Sequence, residues 1–156
     1  MNHAQSSIVQ PKHIDSSWRI GIVHSSFYKE DVKTMIASAT ATLLEAGIYE
    51  KGIKVLPVAG CFEIPLIGSA LAEKGEVDAL MGLGIVVQGE TQHAQAIVEQ
   101  AAKGMMEVQT RFRIPFAFEV LHVNSLEDAK ARCESKGKEA AMAVLHSLAE
   151  LRLLRS

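Results

Sequence analysis

Hydrophobic and polar positions follow two alternating periods along most of the chain. From Trp18 onward, short apolar runs of strand length are each followed by a longer stretch whose apolar residues recur every three or four positions. Residues 19–23 (RIGIV) predict a first strand, and residues 30–46, with Val32, Met35, Ile36, Ala39, Leu43 and Ala46 in helical register, a first helix ended by Gly47. Residues 53–58 predict a second strand with an irregular end at Pro57, and residues 62–74 a second helix with Pro65 in its first turn and Gly75 as its stop. Residues 78–87 (DALMGLGIVV) are apolar on both faces, as a central parallel strand is. A tight turn at Gly89, Glu90 and Thr91 leads to a third helix over 92–112, and Pro115 precedes a fourth strand over 116–123. Asn124 or Ser125 caps a short helix over 126–134, Gly137 interrupts, and a last amphipathic helix runs over 138–154. Strand and helix thus alternate four times, which predicts an α/β fold: a four-stranded parallel sheet flanked by helices on both faces.

The first 17 residues carry no sustained period and read as an N-terminal arm, leaving 18–156 as a single domain. Ile8 and Val9 can form a short β segment that covers one exposed sheet edge, in the same subunit or a neighbour.

A length of 156 residues with 48% hydrophobic and 22% charged residues fits one folded domain with a proper core. The net charge of −2 provides no broad positive field for nucleic acid, and no apolar run reaches the roughly 20 residues of a membrane span. Cys61 and Cys133 are far apart and form no zinc pattern. The polar start shows no signal peptide, so the expectation is a soluble intracellular protein with reduced thiols. An aliphatic, Ala-rich chain with only 5% aromatic residues also hints at oligomerisation.

Ligands of open α/β sheets bind beyond the carboxyl ends of the strands. The four loops predicted there hold His24 to Tyr28, Ala59 to Glu63, Gln88 to His93, and His122 to Asn124, whereas the loops at the other end, 45–52 and 74–77, carry no unusual chemistry. A glycine turn feeding a helix start is an anion site, where unpaired backbone N–H groups and the Thr91 hydroxyl can donate and His93 can exchange a proton; the plain alternative is a capping threonine and a solvated histidine. Phe62 and Glu63 can stack on a planar ring and accept from hydroxyls, or pack and complement the helix dipole. Phe27 and Tyr28 can stack on a ligand or seal the sheet end. Arg132, Lys136 and Lys138 form a cation cluster that suits a phosphate or simply faces water. Cys61 at a helix start is a candidate nucleophile, but no base is tied to it by spacing, so a packed residue is the plainer reading. His24, His93 and His122 all fall at strand ends with no carboxylate or thiol at ligand spacing, so no metal is expected. A dinucleotide fingerprint and a Walker motif are both missing from the sequence.

The motifs GIV-x-x-x-F (from Gly21), G-x-FEIP (from Gly60), LG-x-V-x-x-GET-x-H (from Leu83), E-x-A-x-x-R (from Glu127) and KG-x-EAA (from Lys136) follow one another from Trp18 to the last helix. In this order and spacing they resemble the 6,7-dimethyl-8-ribityllumazine synthase family, also known as the riboflavin synthase beta-chain family. The resemblance implies a flavodoxin-like three-layer sandwich, no metal or organic cofactor, a cytoplasmic setting, and pentamers or multiples of pentamers with active sites between subunits. It also implies an association with riboflavin synthase. The implied reaction joins 5-amino-6-(D-ribitylamino)pyrimidine-2,4-dione to 3,4-dihydroxy-2-butanone 4-phosphate in the penultimate step of riboflavin synthesis. Carried over residue by residue, the resemblance gives Phe27, Cys61, Phe62, Glu63, Val86 and Val87 to the pyrimidinedione and its ribityl chain, with Phe118 added from the neighbouring subunit. It gives Gly89, Glu90 and Thr91 to the phosphate together with the neighbour's Arg132 and nearby Lys136, and it makes His93 the catalytic histidine. The alternative is a flavin- or lumazine-binding or shell-forming member of the same fold without turnover. Gln88, Ala59, Ala94, Ala96, Glu119 and His122 depart from the family's usual residues, and the segment between Arg132 and Gly137 is shorter than usual.

Overall fold

The computed structural model describes residues 9–89 and 91–156. Four parallel strands, β1 (Ile20–Ser25), β2 (Ile53–Val58), β3 (Ala79–Val87) and β4 (Phe116–Val123), form one sheet in the order β2-β1-β3-β4. The helices are α1 (Lys29–Glu45), α2 (Ile64–Lys74), α3 (His93–Phe112), α4 (Leu126–Lys130) and α5 (Cys133–Arg155). Helices α1 and α5 pack on one face of the sheet, and α2 and α3 pack together on the other. The expected α/β fold, with a parallel sheet between two helical layers, is the one observed.

The apolar runs that predicted β1 and β3 are buried because these are the two central strands. Seven consecutive residues of β3, from Ala79 to Ile85, are buried. Even-spaced side chains such as Met81, Leu83 and Ile85 join the core under α1 and α5, while Leu80 joins the core under α2 and α3. Each such side chain contributes about 1.5–3 kcal/mol from the surface it withdraws from water. β2 lies at a sheet edge, and its mixed burial fits that place.

The predicted boundaries hold closely for most elements. β4 spans the expected residues, and Gly75 ends α2 in the left-handed region at φ 71°. β1 begins one residue later than expected and continues through Ser25. The second helix begins with a 3₁₀ turn, Cys61–Glu63, before the α-helix starts at Ile64. Ser125 is the cap of α4, accepting a hydrogen bond from the Asp128 N–H at 3.4 Å.

The expected break at Gly137 is absent. Helix α4 stops at Lys130, and α5 starts at Cys133 and runs through Gly137 without interruption. The glycine serves a helix crossing: a Cβ there would collide with the Met35 carbonyl of α1. The short segment after Arg132 is therefore the first turn of α5, with Arg132 as its N-cap residue.

Ile8 and Glu90 fall outside the described residues, so the expected Ile8 pairing and the Glu90 position in the turn do so too. Val9 is not in a strand; its carbonyl accepts from the His146 imidazole of α5, and Asp15 meets Arg152 on the same helix at 3.8 Å. No described helix is long and apolar enough to cross a membrane.

Candidate active site

The strand order reverses between β1 and β3. The chain leaves β1 to form β2 on one side and returns to add β3 on the other, which opens a crevice beyond the carboxyl ends of these two strands. A cleft of about 610 Å³ occupies that place. Its volume suits a small organic ligand.

Three loops build the cleft. After β1, the buried Ser25 hydroxyl accepts from the Phe27 N–H at 3.1 Å, and the Ser26 hydroxyl donates to the Val58 carbonyl at 2.7 Å. The first bond fixes the turn after β1 and the second ties it to the end of β2, while Phe27 stays 63% exposed with its ring free to stack. Tyr28 caps α1 in the left-handed region at φ 52° and also lines the cleft.

The second loop passes through Gly60 into the 3₁₀ turn. A Cβ on Gly60 would lie 3.4 Å from the Phe27 ring and 3.5 Å from Glu63 Oε1, so ring and carboxylate flank this glycine on adjoining loops. Phe62 is 58% exposed beside them. Cys61 is buried, and burial pushes its thiol up to about 11, partly offset by a hydrogen bond with Ser25. The plainer expectation for this residue, a small packed side chain, is the observed one.

The third loop follows β3. Val86 and Val87 form a half-buried wall, then Gly89 and Thr91 lead to α3, whose first residue is His93. The Thr91 hydroxyl accepts from the His93 N–H at 3.4 Å. The first turn of α3, from His93 onward, contains no acidic side chain, so within the helix itself nothing offsets its positive end. One face of α3, at His93, Ala96, Ile97 and Gln100, lines the cleft. The i, i+3, i+4, i+7 spacing of these residues was a readable signal that a single-residue motif search passes over. Ser25, Ile97 and Gln100 were not among the expected site residues.

Phe27, Cys61, Phe62, Glu63, Val86, Val87, Gly89, Thr91 and His93 thus come together in one cleft. Phe118, Arg132 and Lys136 do not line it. Phe118 is partly exposed on the edge strand β4. Arg132 lines a separate depression beyond β4 with His122 and Asn124. Lys136 pairs with Glu139 at 3.0 Å. Arg132 forms no ion pair with any described residue. Among the described residues, no three histidine, cysteine or acidic side chains gather as metal ligands.

A parallel sheet with a ligand-sized cleft at its switch point, and a histidine on the adjoining helix start, defines an α/β protein built to act on a small molecule. Residues 17–152 match the family model described as 6,7-dimethyl-8-ribityllumazine synthase. Proteins named 6,7-dimethyl-8-ribityllumazine synthase from Stenotrophomonas maltophilia (strain K279a) and Acidovorax sp. (strain JS42) are each 35% identical to the chain. The first similarity covers 93% of this chain and 94% of the relative, the second 78% and 79%. The same-named protein of Albidiferax ferrireducens is 37% identical over 79% of this chain and 78% of its own. The chain belongs to the 6,7-dimethyl-8-ribityllumazine synthase family, a family of transferases in riboflavin biosynthesis.

Proposed function

We propose that the chain condenses 5-amino-6-(D-ribitylamino)pyrimidine-2,4-dione with 3,4-dihydroxy-2-butanone 4-phosphate to form 6,7-dimethyl-8-ribityllumazine. The observation that carries this reading is the convergence of Phe27, Glu63, Thr91 and His93 on one cleft at the switch point, in a chain of this family. In the reaction, the 5-amino group adds to the ketone and water leaves, giving an imine. A proton is removed beside the imine and phosphate departs from the neighbouring carbon, leaving an enol; that enol takes a proton on its terminal carbon and loses its O–H proton, which gives a methyl ketone. The ribitylamino nitrogen then closes on the carbonyl thus formed, and a second water leaves.

These steps need orientation and proton transfer rather than an external oxidant or reductant. Phe27 stacks on the pyrimidinedione, and the main chain at Val86 and Val87 reads its edge. Cys61 and Phe62 shape the adjoining wall, and Glu63 accepts from the ribityl hydroxyls. Gly89, Glu90 and Thr91 hold the phosphate at the start of α3. His93, at the same helix start, takes and returns the proton. Arg132 and Lys136 of an adjoining subunit close the phosphate end, and its Phe118 completes the ring pocket. The lack of an ion pair at Arg132 among the described residues and its place outside the cleft of its own chain support a role across a subunit boundary. Pentamers, a cytoplasmic setting and contact with riboflavin synthase go with the same reading. The exposed apolar side chains Phe62, Leu66, Met106 and Phe118 support the assembly.

The test is to supply the purified protein with both substrates and follow lumazine absorbance and phosphate release together. Stoichiometric formation of both products supports the reading. A protein that binds the ribityl-pyrimidine but forms no lumazine overturns it in favour of a binding module.

A further inference from the structure

The turn before His93 is held from an unexpected direction. The Gln88 side-chain amide nitrogen lies 3.2 Å from the Gly89 carbonyl and 3.2 Å from the Thr91 carbonyl. At the other end of the same amide, Gln88 Oε1 lies 2.7 Å from Nε2 of His122 on β4. The Gln88 backbone N–H also donates to the Val123 carbonyl at 2.7 Å, so Gln88 is anchored to β4 twice. Among the described residues, no other side chain donates to the carbonyls of Gly89 or Thr91. Gly89 itself is exposed, with nothing within 4 Å of where a Cβ would sit.

The chemistry orders this chain of bonds. Both turn carbonyls can only accept, so the Gln88 amide must present its NH₂ to them. Its Oε1 then faces His122 and must accept, which requires a hydrogen on His122 Nε2. That hydrogen is present in the neutral Nε2–H tautomer and in the imidazolium, so the bond survives protonation of the ring. The polarised chain His122→Gln88→turn carbonyls links the edge strand to the loop that carries Thr91.

We propose that Gln88 and His122 are positioning residues that brace the Gly89–Thr91 turn from β4 and thereby set the geometry of the anion-binding end of the cleft. Neither residue lines the cleft, so neither acts as a catalytic residue. The inference deepens the proposed function, and its kinetic arm rests on that reading, whereas its structural arm does not.

The structural arm is hydrogen–deuterium exchange of the full-length protein without substrates. Gln88→Leu, Gln88→Glu and His122→Phe are expected to speed exchange at Thr91, Gln92 and His93 about tenfold, a change on the scale of one or two lost hydrogen bonds. Gln88→Glu tests the orientation, because it keeps the shape and the acceptor for His122 while removing the two donors to the turn. His122→Gln, whose amide nitrogen stands where Nε2 stood, is expected to restore protection to near wild type. In the kinetic arm, KM for the phosphorylated substrate rises about tenfold in the three disrupting variants, while KM for the pyrimidinedione holds within about twofold. Unchanged exchange in both Gln88 variants overturns the brace, as does a His122→Gln variant as unprotected as His122→Phe. Equal KM changes for the two substrates overturn the assignment to the anion end. If wild type forms no lumazine, the exchange arm still decides the brace by itself.

Discussion

The Cys61 thiol occupies the space that a side chain at residue 84 would need: a Cβ on Gly84 of β3 would collide with Cys61 Sγ and come within 3.2 Å of Ser25 Cβ. The start of the second helical segment is thereby seated on the central strand, and this seating aims Phe62 and Glu63 at the cleft. Gly84→Ala should cost about 1–3 kcal/mol of stability and lower affinity for the ribityl-pyrimidine, as measured by chemical denaturation and ligand titration. Because burial holds the Cys61 thiol at about 11, almost no thiolate exists at neutral pH. Cys61→Ala should therefore keep turnover within about threefold of wild type, which would exclude a nucleophilic role.

His93 stands at the first position of α3 beside the Thr91 hydroxyl. Replacing it with alanine removes the proton carrier but leaves the wall formed by Phe27, Val86 and Val87. Single-turnover rates for His93→Ala should fall about 10²–10⁴-fold, with ribityl-pyrimidine affinity changed less than about threefold. Equal losses in rate and in that affinity would contradict the assigned role.

Arg132 and His93 are proposed to meet only across a subunit boundary. His93→Ala and Arg132→Ala proteins should each be nearly inactive at low concentrations of the phosphorylated substrate. After the two are dissociated and reassembled together, activity should return to about a quarter of wild type, the statistical share of sites built from two intact halves. No recovery in verified mixed oligomers would place both side chains in the same subunit's site or separate them altogether.

Glu119 on β4 gives the fold a pH dependence. Burial pushes its carboxyl up to about 7, Lys136 and Arg132 pull it down, and Glu139 pushes it further up. The folded value lies above the ordinary 4.5, so the associated stability is fully present below about pH 4.5 and is lost as the pH rises through about 7. Glu119→Gln should accordingly be more stable than wild type at pH 8, by about 1–2 kcal/mol once solvent screening of a partly exposed group is allowed for. The advantage should vanish near pH 4, below the ordinary carboxyl value. Denaturation curves at the two pH values measure it.

Gly137→Ala forces the α1 and α5 backbones apart at the Met35 carbonyl, where no side-chain rotation can relieve the collision. Thermal melting should show a loss of about 2–3 kcal/mol, the upper end of the range for overpacking. A glycine that merely broke a helix would give the opposite result, since alanine favours helix.

The order of elements was legible in the sequence because strand and helix periods are local properties of neighbouring residues. So were the stops at Gly47 and Gly75, both of which take positive φ, and the gathering of Phe27, Glu63, Thr91 and His93 at one end of the sheet, since parallel strands send all their carboxyl-end loops the same way. Gly137 was misread as a break because a helix crossing depends on a partner about a hundred residues away in the chain. The burial of Cys61 against Gly84 and the bond from His122 to Gln88, 34 residues apart, were invisible for the same reason. The family motifs already implied that Arg132 and Phe118 serve a neighbouring subunit; only the tertiary structure decided where they stand in their own chain, Phe118 on the edge strand β4 and Arg132 in a depression beyond it. Their sequence motifs state what those side chains are, but β4 and α5 must pack before it is determined which way they face.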